Sequence, residues 1–278
     1  MKTVEEAQGE LLSLEALLLS RAYLYELFHK VFGGQPTSEL FEALSSPIVE
    51  DVLDEYASES PTLGHLKTFA RKLGEKAADA AFAHEASDEF TRFFEGPTNL
   101  VAIPWESAYI GHEGIVFQAS TLAVREAYAA HGLRVKHFKR MPDDHISMMC
   151  AFMANVSRNT LDAFRGREWS HMERLLQDQY AFVRDHMANW LPEYAKCARK
   201  VKTAYLYPQF AQGIEAFAAL DMTMTVHALA WLREAPDAVA EAAGDCGFAP
   251  RFSDVEAALA KLEELELPGL DDNKLIAA

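Results

Sequence analysis

Two short stretches of this chain carry more chemistry than helix packing requires. The first, Glu89-Phe-Thr-Arg-Phe-Phe-Glu-Gly-Pro97, runs on to Ile103-Pro-Trp-Glu-Ser-Ala-Tyr109. It sets Phe93 and Phe94 before a break and then Trp105, Glu106, Ser107 and Tyr109 on a loop. Rings on a loop make a rigid apolar wall with a few polar handles, the usual lining of a peptide groove. The same rings could plug the core beneath a long loop. The second stretch, Met141-Pro-Asp-Asp-His145, gathers Asp143, Asp144 and His145 ahead of an apolar face of Ile146, Met149, Cys150, Met153 and Val156. An aspartate there caps a helix, an effect of about 0.5 to 2 kcal/mol. Capping accounts for one aspartate, not for two followed by a histidine. A chance cluster of this size is also common.

A metal site is the competing chemistry. Asp143, Asp144 and His145 could join His112, Glu113 or His137 around a divalent ion, giving a metal-dependent hydrolase on a helical scaffold. Against it, no two histidines stand four apart with a glutamate base, and the His-Asp order of helical phosphohydrolases is missing. Phosphate loops, dinucleotide fingerprints and nucleophile elbows are absent as well. The reading therefore assigns no catalytic residue, no metal and no cofactor. Met148, Met149 and Met153 fall at helical spacing and belong to the core, although methionine also suits an adaptable binding surface.

The elements that must position these residues are helical. Leu11, Leu14, Leu18, Tyr25, Phe28 and Phe32 recur at threes, fours and sevens, which predicts a long helix with one apolar face, stopped by Gly33-Gly34 and Pro36. Shorter helical patterns run over 38–45, 47–58, 62–83 and 85–94. A punctuated loop follows from Glu95 to Gly114, then a helix over 115–131 closed by Gly132. The basic stretch from Leu133 to Met141 reads as a solvated connection. Pro142 suits the first position of a helix over 143–165, with both aspartates in its first turn. Further helices are expected at 170–188, 190–204, 208–233 and 253–266. Ser170 with Glu173 and Ser253 with Glu256 read as capping boxes. The fold class is all-α, a single-domain bundle of about ten or more helices. The division expected is 1–233 for the main body and 234–278 for an acidic C-terminal extension with one helix.

Charge narrows the partners. With 42 acidic against 26 basic residues, the net charge of -16 repels nucleic acid and anionic lipid and attracts basic ligands, though it also serves plain solubility. Cys150, Cys197 and Cys246 form no paired motif, which suggests reduced thiols in the cytoplasm. Met1 to Glu10 holds no apolar run of a secretory signal, and no stretch reaches the roughly 18 to 20 apolar residues of a membrane span. Neither nucleic-acid binding nor stable membrane insertion is expected.

Taken together, FFEGP (93–97), PWESAY (104–109) and MPDDHISMMCAFMANV (141–156) resemble the redox enzyme maturation chaperones, the TorD/DmsD/NarJ family. RAYLYELFHKVF (21–32) and DQYAFVRDHMANWLPEY (178–194) are weaker echoes, so the resemblance spans about residues 20 to 220. It implies a non-enzymatic cytoplasmic protein, monomeric or a domain-swapped dimer. Its partner would be the twin-arginine signal peptide on the precursor of a molybdopterin-containing oxidoreductase, held back from export until the cofactor is inserted. Carried across, the peptide site comprises Trp105, Ser107, Tyr109, Asp144 and His145, with Glu106 and Asp143 as neighbours. Two features depart from the family pattern: Ser147-Met148-Met149-Cys150 in place of larger aliphatics, and the acidic tail.

Overall fold

The computed structural model describes residues 3–96, 100–110, 119–137, 142–234, 236–243 and 252–278. The architecture is helical around one central rod. Helix α1 (Val4–Gly33) opens with a capping box between Thr3 and Glu6, and every residue from Leu18 to Gly33 is buried. Sequence periodicity predicts one apolar face. The helix is instead enclosed on all sides, by α8 (Ile146–Arg165), α11 (Tyr207–Arg233), α12 (Pro236–Ala243) and α13 (Ser253–Glu264).

Enclosure forces the polar groups of α1 to find partners, because an unpaired buried charge is costly. Arg21 donates to Asp221 through Nε (2.5 Å) and Nη2 (3.2 Å), and Nη2 also reaches Thr225 (3.0 Å). Lys30 donates to the carbonyls of Glu263 and Leu265. His29 Nδ1 is hydrogen-bonded to Ser147 Oγ at 2.9 Å.

Around the rod stand α2 (Ser38–Leu44), α3 (Pro47–Ala57), α4 (Pro61–Gly74), α5 (Ala80–Phe90), α6 (Ser107–Ile110), α7 (Ala119–Ala130), α9 (Trp169–His186) and α10 (Leu191–Arg199). Ser46 and Ser60 cap α3 and α4, each with proline directly after the cap. The helix expected over 62–83 is two: α4 ends at Gly74, and Asp79 caps α5 by accepting from the Ala81 N–H. Phe93 and Phe94 lie on a π turn, Thr91–Glu95, at the end of α5.

The two expected capping boxes do not form. Helix α9 starts at Trp169 after Glu168, and the Glu256 carboxylate in α13 goes to Arg165 instead. A guanidinium outbids a backbone N–H for a carboxylate. The basic connection also holds more structure than its composition suggests. Leu133–Val135 forms β1, which pairs antiparallel with β2 (Leu275–Ala277), register Arg134 opposite Ile276.

Gly33 and Gly34 stop α1 for a reason other than chain freedom. Gly34 has extended dihedrals open to any residue. A Cβ on Gly33 would stand 2.4 Å from Ser147 Oγ, and one on Gly34 2.5 Å from Leu267 Cβ. Close approach of α8 and the C-terminal segment, with Asn273 Nδ2 donating to the Gly33 carbonyl at 2.7 Å, is what requires glycine. No described helix is long and apolar enough to cross a membrane.

Candidate functional site

The two motifs, separate in sequence, meet as one unit. Trp105 and His145 form an antiparallel backbone bridge. The Ile146 N–H donates to the Pro104 carbonyl (2.8 Å), and the Glu106 N–H donates to the Asp144 carbonyl (3.1 Å). Asp144 adds its side chain: Oδ2 accepts from the Ser107 N–H at 2.8 Å, at the start of α6. Its other oxygen, Oδ1, is buried with no hydrogen-bond partner among the described residues.

Helix α8 begins at Ile146, so Asp143 and Asp144 precede it instead of filling its first turn. The cap is His145, whose Nδ1 accepts from the Ser147 N–H at 3.2 Å. Burial pushes the His145 imidazole down to about 3, with the neighbouring His29 adding to the effect. A neutral ring is what the cap needs, since a protonated Nδ1 could not accept. The His145 ring meets Phe94 nearly edge-on, 6.1 Å between centroids. Asp143 is buried and taken by Arg125, with Nε at 3.2 Å, while its carbonyl accepts from the Tyr128 hydroxyl.

The loop residues divide between wall and plug. Phe93 and Glu106 are fully buried. Asn189 Nδ2 donates to Glu106 Oε1 (3.1 Å), and His186 Nδ1 lies 3.2 Å from Oε2. Tyr109 stacks on Trp190 at 5.4 Å and 27°, and burial raises its hydroxyl pKa. That ring belongs to the packing. Trp105 and Ser107 are half-buried, and Trp105 has no ring partner among the described residues. Met148, Met149 and Met153 are wholly in the core.

Sequence reasoning missed Arg125, which neutralises Asp143, and the pair His186 and Asn189 under Glu106. His186 ends α9 and Asn189 follows in the turn just beyond it. Glu89 was also passed over: its carboxylate accepts from the N–H groups of Tyr205, Leu206 and Tyr207 and so completes the start of α11.

No group of three or more metal-capable side chains stands together among the described residues. His137 lies 3.6 Å from Asp271 on the C-terminal segment. His112, Glu113, Met141 and Cys246 fall outside the described residues.

The profile of the family described as nitrate reductase delta subunit matches residues 56–196, just over half of the chain and the interval that holds both motifs. The chaperone protein TorD of Vibrio parahaemolyticus is 25% identical over 206 residues, covering 72% of this chain and 92% of that protein. TorD of Vibrio vulnificus strain YJ016 is 22% identical over 210 residues, covering 75% and 95%. That of Shewanella piezotolerans is 23% identical over 200 residues, covering 69% and 86%. An all-helical body, a Pro-Trp-Glu-Ser loop bridged to a Pro-Asp-Asp-His turn, and this breadth of match place the chain in the TorD/NarJ family of redox enzyme maturation chaperones.

Proposed function

We propose that this chain is a cytoplasmic, non-enzymatic chaperone for a molybdenum-cofactor oxidoreductase. It captures the twin-arginine signal peptide of the precursor and delays export while the cofactor is inserted. In this reading residues 1–233 are the chaperone domain; the acidic segment 234–278, expected to hold one helix, holds two, and both α12 and α13 pack on α1. The observation that carries it is Asp144. One carboxylate oxygen is clamped by Ser107, and the other is buried without a partner among the described residues. A buried acceptor left unpaired costs about 1–3 kcal/mol, more when charged. An arginine of the peptide would recover that cost through a charge-assisted bond. Asp143 and Glu106 already have partners in Arg125, His186 and Asn189, so Asp144 is the carboxylate with capacity left. Half-buried Trp105 supplies the apolar contact beside it.

The test is titration calorimetry with a synthetic twin-arginine peptide. Asp144→Asn keeps the shape and the Ser107 clamp but removes the charge. Affinity should fall about tenfold or more, with folding stability held within ~0.5 kcal/mol. Unchanged affinity would take Asp144 out of the site.

A further inference from the structure

Asp143 and Asp144 follow one another in the turn before α8, yet their side chains part. Asp144 reaches Ser107 at the start of α6, and Asp143 reaches Arg125 on α7. Both act on one phenol. Burial holds the Tyr128 hydroxyl well above its ordinary range, and the charges of Asp143 and Asp144 push it the same way. This turn already holds a guanidinium: Arg125 turns two donors, Nε at 3.2 Å and Nη2, onto the single oxygen Asp143 Oδ2. The chain's own arginine thus displays the chemistry that the turn accepts.

The two members of this pair are unequally buried. The Asp143 side chain is 4% exposed and the Arg125 side chain 41%. A buried carboxylate must keep a cation, because stranding its charge is costly. The identity of that cation is less constrained, since a half-exposed guanidinium is held weakly and can return to water. An ammonium would replace it poorly, being a point charge without the planar fork. An extended peptide sends successive side chains to opposite sides, much as this turn sends its two carboxylates toward α6 and α7.

We propose that Arg125 is an internal stand-in for a ligand arginine, exchanged at Asp143 when a peptide with two adjacent arginines binds. This rests on the function proposed above and adds a specificity residue to it. Asp144 takes one guanidinium directly, and Arg125 swings out to yield Asp143 to the other. Exchanging like for like gains little affinity, so Arg125 sets how strongly the second arginine counts.

Three synthetic peptides test this by titration calorimetry: one with an Arg-Arg pair before a Leu- and Ala-rich stretch, and two with either arginine replaced by glutamine. The readout is the ratio of the Arg-Arg affinity to that of the tighter single-arginine peptide, in which general losses of fold cancel. Arg125→Gln keeps a donor for Asp143 but gives up the charge, so the ratio should rise about tenfold over wild type. Arg125→Lys keeps the charge and should raise it by a smaller factor, since the ammonium still competes. Adding Asp143→Asn to Arg125→Gln should return the ratio to the wild-type value or below. A ratio unmoved by both Arg125 variants, or still raised in the double variant, would overturn the exchange and leave the Asp144 site standing. Should wild type bind none of the three peptides, both readings fall.

Discussion

The Ser107 N–H donates to Asp144 Oδ2 at 2.8 Å, joining residues 37 apart in sequence. This bond and the Trp105–His145 bridge beside it make the aromatic loop and the Asp-Asp-His turn one mechanical unit. Asp144→Ala removes the clamp as well as the charge, whereas Asp144→Asn keeps the clamp. The alanine variant should therefore lose about 1–3 kcal/mol of stability that the asparagine variant retains. Denaturant midpoints decide. Equal midpoints for the two would mean that the clamp does not hold the loop.

The two rings of the loop should separate cleanly. Trp105 is half-buried without a ring partner among the described residues, so Trp105→Ala should cost about 2 kcal/mol of peptide affinity and little stability. Tyr109 stacks on Trp190, and Tyr109→Ala should instead lower stability, by about 0.5–1.5 kcal/mol for the lost stacking plus the lost burial. A stable protein with unimpaired peptide binding after Trp105→Ala would remove that ring from the site.

Acid should weaken the fold before carboxylates titrate. Burial pushes His29 from its ordinary 6.5 down to about 4, and His145 to about 3. Below pH 6.5 the unfolded chain takes up protons that the folded chain refuses. The stability is thus fully present above that pH and is lost as pH falls toward about 4 and then 3. Each histidine contributes a slope of about 1.4 kcal/mol per pH unit at most. Equilibrium unfolding followed from neutral pH to about pH 5 should show the decline, and His29→Gln should reduce its slope. A flat profile over that range would mean that neither ring is held neutral.

Arg21 and Asp221 should behave as a pair that cannot be halved. Both are 1% exposed, and Asp221 Oδ2 also accepts from the Tyr25 hydroxyl at 2.8 Å. Asp221→Ala strands the guanidinium in the core and should cost about 3–5 kcal/mol, while Arg21→Met with Asp221→Leu should cost far less. A loss below about 1 kcal/mol for the single change would show that water reaches Arg21.

What the sequence determined by itself was whatever neighbours along the chain decide. The threes and fours from Leu11 to Phe32 gave a helix, and the motif residues marked a family. Tertiary structure decided everything that depends on partners far away. It enclosed α1 on every face, where periodicity suggested one. It sent Glu256 to Arg165 instead of its own helix start, and it made a strand of Leu133–Val135 because Leu275–Ala277 lies alongside. It also moved the cap of α8 from the aspartates to His145 and left one oxygen of Asp144 without a partner among the described residues. The reason is physical. Helix propensity and capping act over three or four residues, whereas buried polar groups must be satisfied by whatever packing brings within about 3 Å.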